Sequence, residues 1–346
     1  MRIEEQEYTK NFDIRIWKRV LPFLKPFKKT VAVIVIFNLT CSLVDIAMPL
    51  FQRYAIDTFI EQKTLDGIWK FGLVYFLVVG FQFLSVVLFT RGSASLEMYL
   101  GKTMKRACFV HLQELSFSYY NVTPVGYILS RVMSDTDRIA GMVAWNLTDM
   151  MWALVYVLGV FAAMLALNWK LALIIMSIVP ALAVLTWYFQ NKILRWNRKV
   201  RKINSRITSG YNEGIMGAQT SKTLVIEEKN AEGFREVTQE MRVAGVKAAR
   251  LSAIYLPLVL FFSSLATAIV LAQGGKMVLE DLMMIGTLSA FSSYAVGIFE
   301  PIQQLARNIA EVISAQANIE RVMGLLEQEP QVVDSPEVEE KYGDVF

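Results

Sequence analysis

The chain has 346 residues, of which 54% are hydrophobic and 19% charged, with a mean hydropathy of +0.40 and a net charge of +4. A soluble domain of this length carries more charge and less continuous apolar sequence. The composition therefore excludes an ordinary soluble domain. We interpret the small positive charge as a sign of membrane orientation and expect no binding of nucleic acid.

Residues 1–28 are predicted to form a cytoplasmic tail with an amphipathic elbow helix at residues 14–24. The tail is too polar for a secretory signal peptide, and no small-residue cleavage site follows it. Basic side chains of the elbow would face lipid headgroups while Ile14, Trp17, Leu21 and Leu24 enter the interface. An ordinary basic juxtamembrane tail is the alternative.

Six apolar runs follow, each of about the length that crosses a bilayer core as a helix. They are residues 31–50, 68–90, 142–167, 171–189, 251–271 and 282–299. The sequence thus predicts an all-α membrane protein with six transmembrane helices. The third and fourth runs are joined by the short turn "NWK".

Lysine and arginine counts predict the orientation of these spans. Residues 1–30 hold eight, residues 91–141 six and residues 190–250 thirteen, whereas the alternate loops hold Arg53, Lys63, Lys170 and Lys276. By the positive-inside rule both termini are cytoplasmic. We expect a multi-pass protein of the cell membrane, specifically a bacterial inner membrane.

The two inner loops, of about 50 and 60 residues, are predicted to be helical hairpins. Proline and glycine are sparse in them, and the first loop repeats apolar residues every fourth position, at Leu96, Leu100, Met104, Cys108 and Leu112. The spans would therefore continue as helices for about 25 residues beyond the membrane. Such hairpins are either a self-bundling stalk or levers that rest on a second domain.

The hairpin tips carry two motifs. The first lies in "LSFSYYNVTPVGYILSRVMSDTDRI" and comprises Tyr119, Tyr120, Pro124, Gly126, Ser130, Arg131, Asp135 and Asp137. The second lies in "NEGIMGAQTSKTLVIEEKN" and comprises Glu213, Gly217, Lys222 and Glu227 or Glu228. On a six-span frame, these motifs resemble the two intracellular loops of ABC exporters, and the resemblance covers residues 13–330.

The resemblance implies the type I exporter fold (type IV ABC transmembrane fold) and an ATP-driven half-transporter that alternates between inward-facing and outward-facing states. Each inner loop would end in a coupling helix on a nucleotide-binding domain, at residues 117–123 and 212–220. The coupling residues implied are Phe117, Tyr119, Tyr120, Asn121, Gly126, Arg131, Asp135, Asp137, Glu213, Gly217 and Lys222. Asn121 and Tyr127 depart from the family pattern, because an acid and a charged residue are usual there.

Physical reasoning assigns roles at the first tip. Tyr119 and Tyr120 suit a partly wet groove on a partner domain, and Gly126 would let the chain reverse tightly. Arg131 and Asp135 are four residues apart, so on an α-helix they can pair with each other or with a neighbour. A solvated helix face is the alternative.

No phosphate-binding loop G-x-x-x-x-G-K-[ST] occurs in the sequence, so this chain has no catalytic motif. The resemblance implies that ATP and magnesium bind to a nucleotide-binding domain, and that the full protein is an ABC-type ATPase. Residues 29–326 would form the transmembrane domain. Residues 327–346, ending "YGDVF", would form the linker and the opening strand of that missing domain, so we expect a fragment cut at the domain boundary.

Polar and aromatic residues within the spans are candidates for a substrate pathway, because polar groups in hydrocarbon are costly. Asn38, Asp45 and Gln52 are spaced by seven on one stripe, and Asp45 needs a cavity, a cation or a partner. The pathway candidates are Asn38, Asp45, Gln52, Trp152, Tyr156, Tyr255, Phe291, Ser292 and Tyr294. Glu300 and Pro301 can bend the last span, and ordinary helix packing is the alternative role.

The expected partners are a nucleotide-binding domain, a second identical or sister half-transporter, membrane lipid and a small amphiphilic substrate. Cys41, Cys108 and His111 predict neither a disulfide nor a metal site. Two other functions stay open. An ion-gradient-driven secondary transporter would show broken helices and repeats, and a non-transporting membrane scaffold can use the same frame.

Overall fold

The computed structural model describes residues 13–330. Residues 1–12 of the expected cytoplasmic tail, and residues 331–346 of the linker and strand expected at 327–346, lie outside the described residues. Within residues 13–330 the chain forms helices and no strand, which confirms the all-α fold class. The helices are α1 (Ile14–Lys18), α2 (Leu21–Leu24), α3 (Lys28–Ala55), α4 (Ile68–Glu114), α5 (Phe117–Val122), α6 (Val125–Leu129), α7 (Thr136–Gly141), α8 (Leu147–Leu167), α9 (Trp169–Met216), α10 (Ala218–Leu224), α11 (Glu227–Ile269), α12 (Gly275–Leu279), α13 (Ile285–Gly297) and α14 (Phe299–Leu326).

Several helices are much longer than a bilayer is thick. Helices α4 and α9 have 47 and 48 residues, or about 70 Å each at helical rise, against a hydrocarbon core of about 30 Å. The predicted helical extensions beyond the second and fourth spans are therefore present. Helix α11 has 43 residues and supplies the extension before the fifth span.

The described chain divides into two compact units. The first contains residues 13–48, 65–159 and 307–330. Its core contains the stripe predicted on α4, where Leu100, Met104 and Cys108 are fully buried together with Ile139 and Val322. The apolar residues at every fourth position thus mark the packed face of α4, as their spacing predicts.

The second unit contains Pro49–Thr64 and Val160–Ala306. Helices α9 and α11 pack along each other. Ile203 of α9 and Ala244 of α11 are buried, and charged residues of both helices lie at the surface. Glu240 on α11 accepts a hydrogen bond from Arg206 at 2.7 Å and lies 3.6 Å from Lys199. Apolar residues and exposed ion pairs therefore hold the second hairpin together.

Among the described residues, five helical segments are long and apolar enough to cross a membrane, whereas the sequence predicts six. They are Ile14–Glu61, Ile68–Glu114, Val125–Leu167, Trp169–Met216 and Glu227–Leu279.

The sixth run forms the 13-residue helix α13, which at about 20 Å is shorter than the core. The helix is interrupted at Ile298 and continues as α14. Pro301 has no N–H to donate to the carbonyl of Gly297, and its ring crowds that carbonyl, which explains the break near the predicted bend.

The elbow also differs from the single helix predicted at residues 14–24. It consists of α1, α2 and a 3₁₀ turn at Lys25–Phe27. Pro22 sits in the first turn of α2, where a missing N–H is tolerated. Between α8 and α9 the connection is Asn168 alone, whose side chain caps α9 by accepting from the N–H of Leu171 at 3.2 Å.

Candidate functional site

The tip of the first hairpin is the short helix α5, which lies where the sequence predicts a coupling helix. The hydroxyl of Tyr120 donates to the carbonyl of Leu112 at the end of α4. Tyr119 packs against the buried core with its ring edge-on to Tyr120, at 5.6 Å between centroids. Burial raises the pKa of the Tyr119 phenol, so it stays neutral. Both tyrosines therefore anchor the tip to its own hairpin.

The exposed apolar side chains of the tip are different residues. Phe117 is 88% exposed, Val122 71% and Val125 69%, and we call these three the first tip surface. Asn121 lies beside them and is also exposed. Large apolar side chains held in this way on a short helix are suited to contact a partner.

Gly126 does not make the predicted reversal. It lies inside α6, and an added Cβ would meet nothing within 4 Å. Thr123 and Pro124 turn the chain instead, because both have extended backbone between α5 and α6.

Arg131 and Asp135 do not pair with each other. The segment Ser130–Asp135 is π-helical, and the wider i→i+5 turn moves residues four apart off a common face. Arg131 donates to the hydroxyl of Tyr127, and its guanidinium lies 4.0 Å from the centre of that ring. Tyr127, which departs from the family pattern, thus contacts Arg131 through both its hydroxyl and its ring.

Asp135 pairs instead with Arg321 of α14. Its two carboxylate oxygens accept from Nε and Nη2 of Arg321 at 2.6 and 3.0 Å, and Asp135 is only 2% exposed. Asp137 is exposed and pairs with Lys105 of α4 at 2.7 Å. The acidic pair of the motif therefore ties the returning chain to two other helices of the same unit.

The tip of the second hairpin lies a few residues later than predicted. Residues 212–216 still belong to α9, and the short helix is α10, Ala218–Leu224. Gly217 ends α9 with its N–H 2.8 Å from the carbonyl oxygen of Glu213, and a Cβ there would lie 2.8 Å from that oxygen. The glycine thus allows the close approach at which the chain leaves α9.

The second tip also exposes apolar side chains. Met216 is 88% exposed and Val225 82%, with Ile215 and Leu224 exposed beside them in the chain; we call these four the second tip surface. Val225 has a φ of 53°, a left-handed conformation that is strained for a β-branched residue. The motif residues Glu213 and Lys222 are exposed as well, and Glu213 accepts from Ser209 at 3.3 Å.

In the first unit, Asp45 has two donors. Gln82 Nε2 and Trp152 Nε1 lie 2.6 and 3.0 Å from its carboxylate oxygens. Trp152 stacks on Tyr156 with 5.4 Å between ring centroids. Asn38 is buried, and its Oδ1 has no hydrogen-bond partner within residues 13–330. The partners of Asp45 are thus the side-chain amide of Gln82 and the indole N–H of Trp152.

In the second unit, Gln52 exchanges hydrogen bonds with Ser289 at 3.0 Å and Ser293 at 3.3 Å. The Tyr255 hydroxyl donates to Thr186 at 3.3 Å. Phe291 and Tyr294 are fully buried in helix packing, and Ser292 is partly buried. In this conformation the side chains of Phe291 and Tyr294 lie in the packed interior of the second unit.

Sequence reasoning missed Arg321 and Gln82. Arg321 lies between the buried residues Asn318 and Val322 on α14, and a cation beside a buried stripe is a signal that it has an acidic partner. Gln82 is a polar residue within the second apolar run, and the same cost argument that selected Asp45 also applies to it.

Comparisons with known proteins cover most of the chain. The family model described as "ABC transporter transmembrane region" matches residues 31–302. The uncharacterized ABC transporter ATP-binding protein YknV of Bacillus subtilis is 25% identical over 327 residues, which are 93% of this chain and 54% of YknV.

Two further relatives carry more specific names. The putative multidrug export ATP-binding/permease protein YgaD of Bacillus subtilis is 23% identical over 93% of this chain and 56% of its own length. The ATP-dependent lipid A-core flippase of Desulfotalea psychrophila is also 23% identical, over 93% of this chain and 56% of the flippase. The chain therefore spans about half the length of the curated relatives it matches.

Proposed function

Because this multi-pass membrane chain belongs to the family of ABC transporter transmembrane regions, we propose that it is the substrate-translocating part of an ATP-driven exporter. The observation that carries the proposal is the family match over residues 31–302. The long helical hairpins, each with a short helix at its tip, support it. Residues 29–326 would form the transmembrane domain.

The two tips would couple the membrane helices to nucleotide-binding domains. Their exposed apolar side chains offer contact area for a partner domain. The anchoring of Tyr120 to Leu112 and of Asp135 to Arg321 supports the transmission of a push on the first tip. Glu213, Gly217 and Lys222 would take the corresponding roles at the second tip.

ATP and magnesium would be bound by those domains, since the sequence has no phosphate-binding loop. Names of the relatives that include "ATP-binding" support this division of labour. A second half-transporter, identical or related, would complete the pathway. With α13 and the start of α14 together making the sixth crossing, both termini would be cytoplasmic in a bacterial cell membrane, as the distribution of lysine and arginine favours.

The substrate would be an amphiphilic small molecule or lipid. The names of relatives that export drugs and flip lipid A-core support this class. Within the chain, Asp45 with Trp152 and Tyr156 provides one acid beside stacked aromatic rings, a combination suited to an aromatic or cationic compound.

ATPase activity in lipid tests the proposal. The chain, joined to or co-expressed with its nucleotide-binding domain, is reconstituted in nanodiscs, and ATP hydrolysis is measured with and without amphiphilic drugs. We expect basal hydrolysis that drugs stimulate and orthovanadate stops. Transport that follows an imposed proton or sodium gradient without ATP would instead identify a secondary transporter, and a lack of both activities would identify a scaffold.

A further inference from the structure

A surface groove lies between the elbow and the start of α8, within the first unit. Its volume is about 320 Å³, and it is lined by eight residues, seven of them apolar. Ile14, Leu21 and Leu24 line it from the elbow, and Val143 and Leu147 line it from the chain that leads into α8. The eighth lining residue, Lys18, is exposed. The groove is thus apolar along its length, with one cation.

Both groups of lining residues belong at the same depth of the membrane. The elbow immediately precedes α3, whose apolar run begins at Val31. Val143 and Leu147 open the third apolar run, residues 142–167. This placement in the sequence puts the groove at the boundary between hydrocarbon and headgroups, where its apolar walls would contact lipid.

The segment that forms the elbow side of the groove carries a net positive charge. Residues 13–30 contain six lysines and arginines and a single acid, Asp13. Asp13 caps α1 by accepting from the N–H of Arg15 at 2.8 Å, and Arg19 is paired with Glu327 at 3.0 Å. Basic residues beside a membrane span attract anionic headgroups.

We propose that this groove binds one acyl chain of an anionic phospholipid, with Lys18 contacting the phosphate of its headgroup. A water-sized share of space is about 30 Å³, so the groove holds roughly ten groups of methylene size. This is a large part of one acyl chain. The basic segment selects the headgroup, and the apolar walls take the tail.

The bound lipid would also stabilise the position of α14. Trp17 and Leu147 line the groove and pack on their other side against Val312 and Ala315 of α14. The N–H of Asp13 donates to Gln316 of the same helix at 2.8 Å. A filled groove therefore supports the contact between the elbow and the helix that ends the described chain.

Native mass spectrometry of the full chain tests the proposal, with phosphatidylglycerol and phosphatidylcholine supplied in equal amounts. Leu21→Trp fills the groove at a half-exposed position, and Val33→Trp places the same bulk on α3 outside the groove. Lys18→Gln removes the lining cation, and Lys28→Gln removes a nearby one that does not line it.

We expect wild-type protein to retain one phosphatidylglycerol per chain and to prefer it over phosphatidylcholine by roughly fivefold for one lysine contact. Leu21→Trp should lose the bound lipid and Lys18→Gln the headgroup preference, while both controls keep them. Equal loss in Leu21→Trp and Val33→Trp would show general annular lipid and overturn the proposal. Retention unchanged in Leu21→Trp, or preference unchanged in Lys18→Gln, would overturn it too. The result does not depend on whether the chain exports a substrate.

Discussion

Asp135 is buried at 2% exposure, and its two carboxylate oxygens accept from Nε and Nη2 of the Arg321 guanidinium. A buried charge that loses its partner keeps its desolvation cost without the compensating attraction. Removing Arg321 alone therefore measures the cost of an orphaned buried carboxylate, because Asp135 stays behind in the interior.

We predict that Arg321→Met lowers the free energy of unfolding by roughly 3 kcal/mol, the usual cost of an orphaned buried charge. Unfolding is followed by thermal or dodecyl sulfate denaturation in detergent. The matched control is Lys105→Gln, which removes the exposed pair with Asp137 and should cost less than about 1 kcal/mol. The double variant Asp135→Leu with Arg321→Met should recover stability relative to Arg321→Met, and a failure to recover would contradict the buried-charge explanation.

Gly286 is a position where there is no room for a side chain larger than hydrogen. Its N–H donates to Asp57 at 2.7 Å near the start of α13, and an added Cβ would lie 2.4 Å from the carbonyl oxygen of Arg53 and from Asp57 Oδ1. We predict that Gly286→Ala destabilises the protein by roughly 2 kcal/mol through overpacking.

The control for Gly286 is Gly245→Ala in α11. An added Cβ at Gly245 meets nothing within 4 Å, so the change should stabilise the helix by about 0.5–1 kcal/mol. The same unfolding measurement compares the two. Equal effects would mean that Asp57 and Gly286 move apart without cost.

The structure of the first tip indicates that Phe117 is the residue to substitute in a test of coupling. The family resemblance implies Tyr120 as a coupling residue, but its hydroxyl donates to the carbonyl of Leu112 in its own hairpin. Phe117→Ser removes an 88% exposed ring and should lower drug-stimulated ATPase activity with no loss of thermal stability. Met98→Ser, at an exposed position on α4 sixteen residues before the end of that helix, should leave stimulation unchanged. Loss of stimulation in both variants, or in neither, would count against the first tip surface.

The second tip contains a strained residue at its exposed end. Val225 adopts φ 53°, a conformation that costs an L-residue about 1–2 kcal/mol. Val225→Gly should relieve the strain and raise the unfolding temperature, yet lower stimulated ATPase activity because the exposed side chain is lost. Asp281→Gly, at a φ of 55° before α13, should leave activity unchanged. A Val225→Gly protein with full stimulation would show that the strain serves no contact.

For the whole molecule, the elements that sequence reasoning placed well depend on local chemistry. Unbroken periodicity predicts α4 and α9, and the fourfold apolar repeat predicts the buried face of α4. What sequence reasoning left open or placed a few residues away has other causes. Asp135 lies in the π-turn at residues 130–135 and pairs with Arg321, a residue 186 positions away. The local pattern around Arg321 indicates that it has an acidic partner but does not identify which acid. The end of α9 at Gly217 depends on one close backbone approach.

Membrane orientation is the property of the whole chain that the charge distribution predicts and chemical labelling can test. Cys41 and Cys108 are both buried, so the chain supplies its own low background for a membrane-impermeant maleimide. Single cysteines are introduced at exposed positions on the predicted cytoplasmic side, by Val122→Cys and Met216→Cys, and on the opposite side, by Leu65→Cys and Leu279→Cys. In intact cells the reagent should label only the latter two, and after permeabilisation all four. Labelling of Val122→Cys or Met216→Cys from outside would reverse the orientation and place the tips where no cytoplasmic ATP-binding domain can reach them.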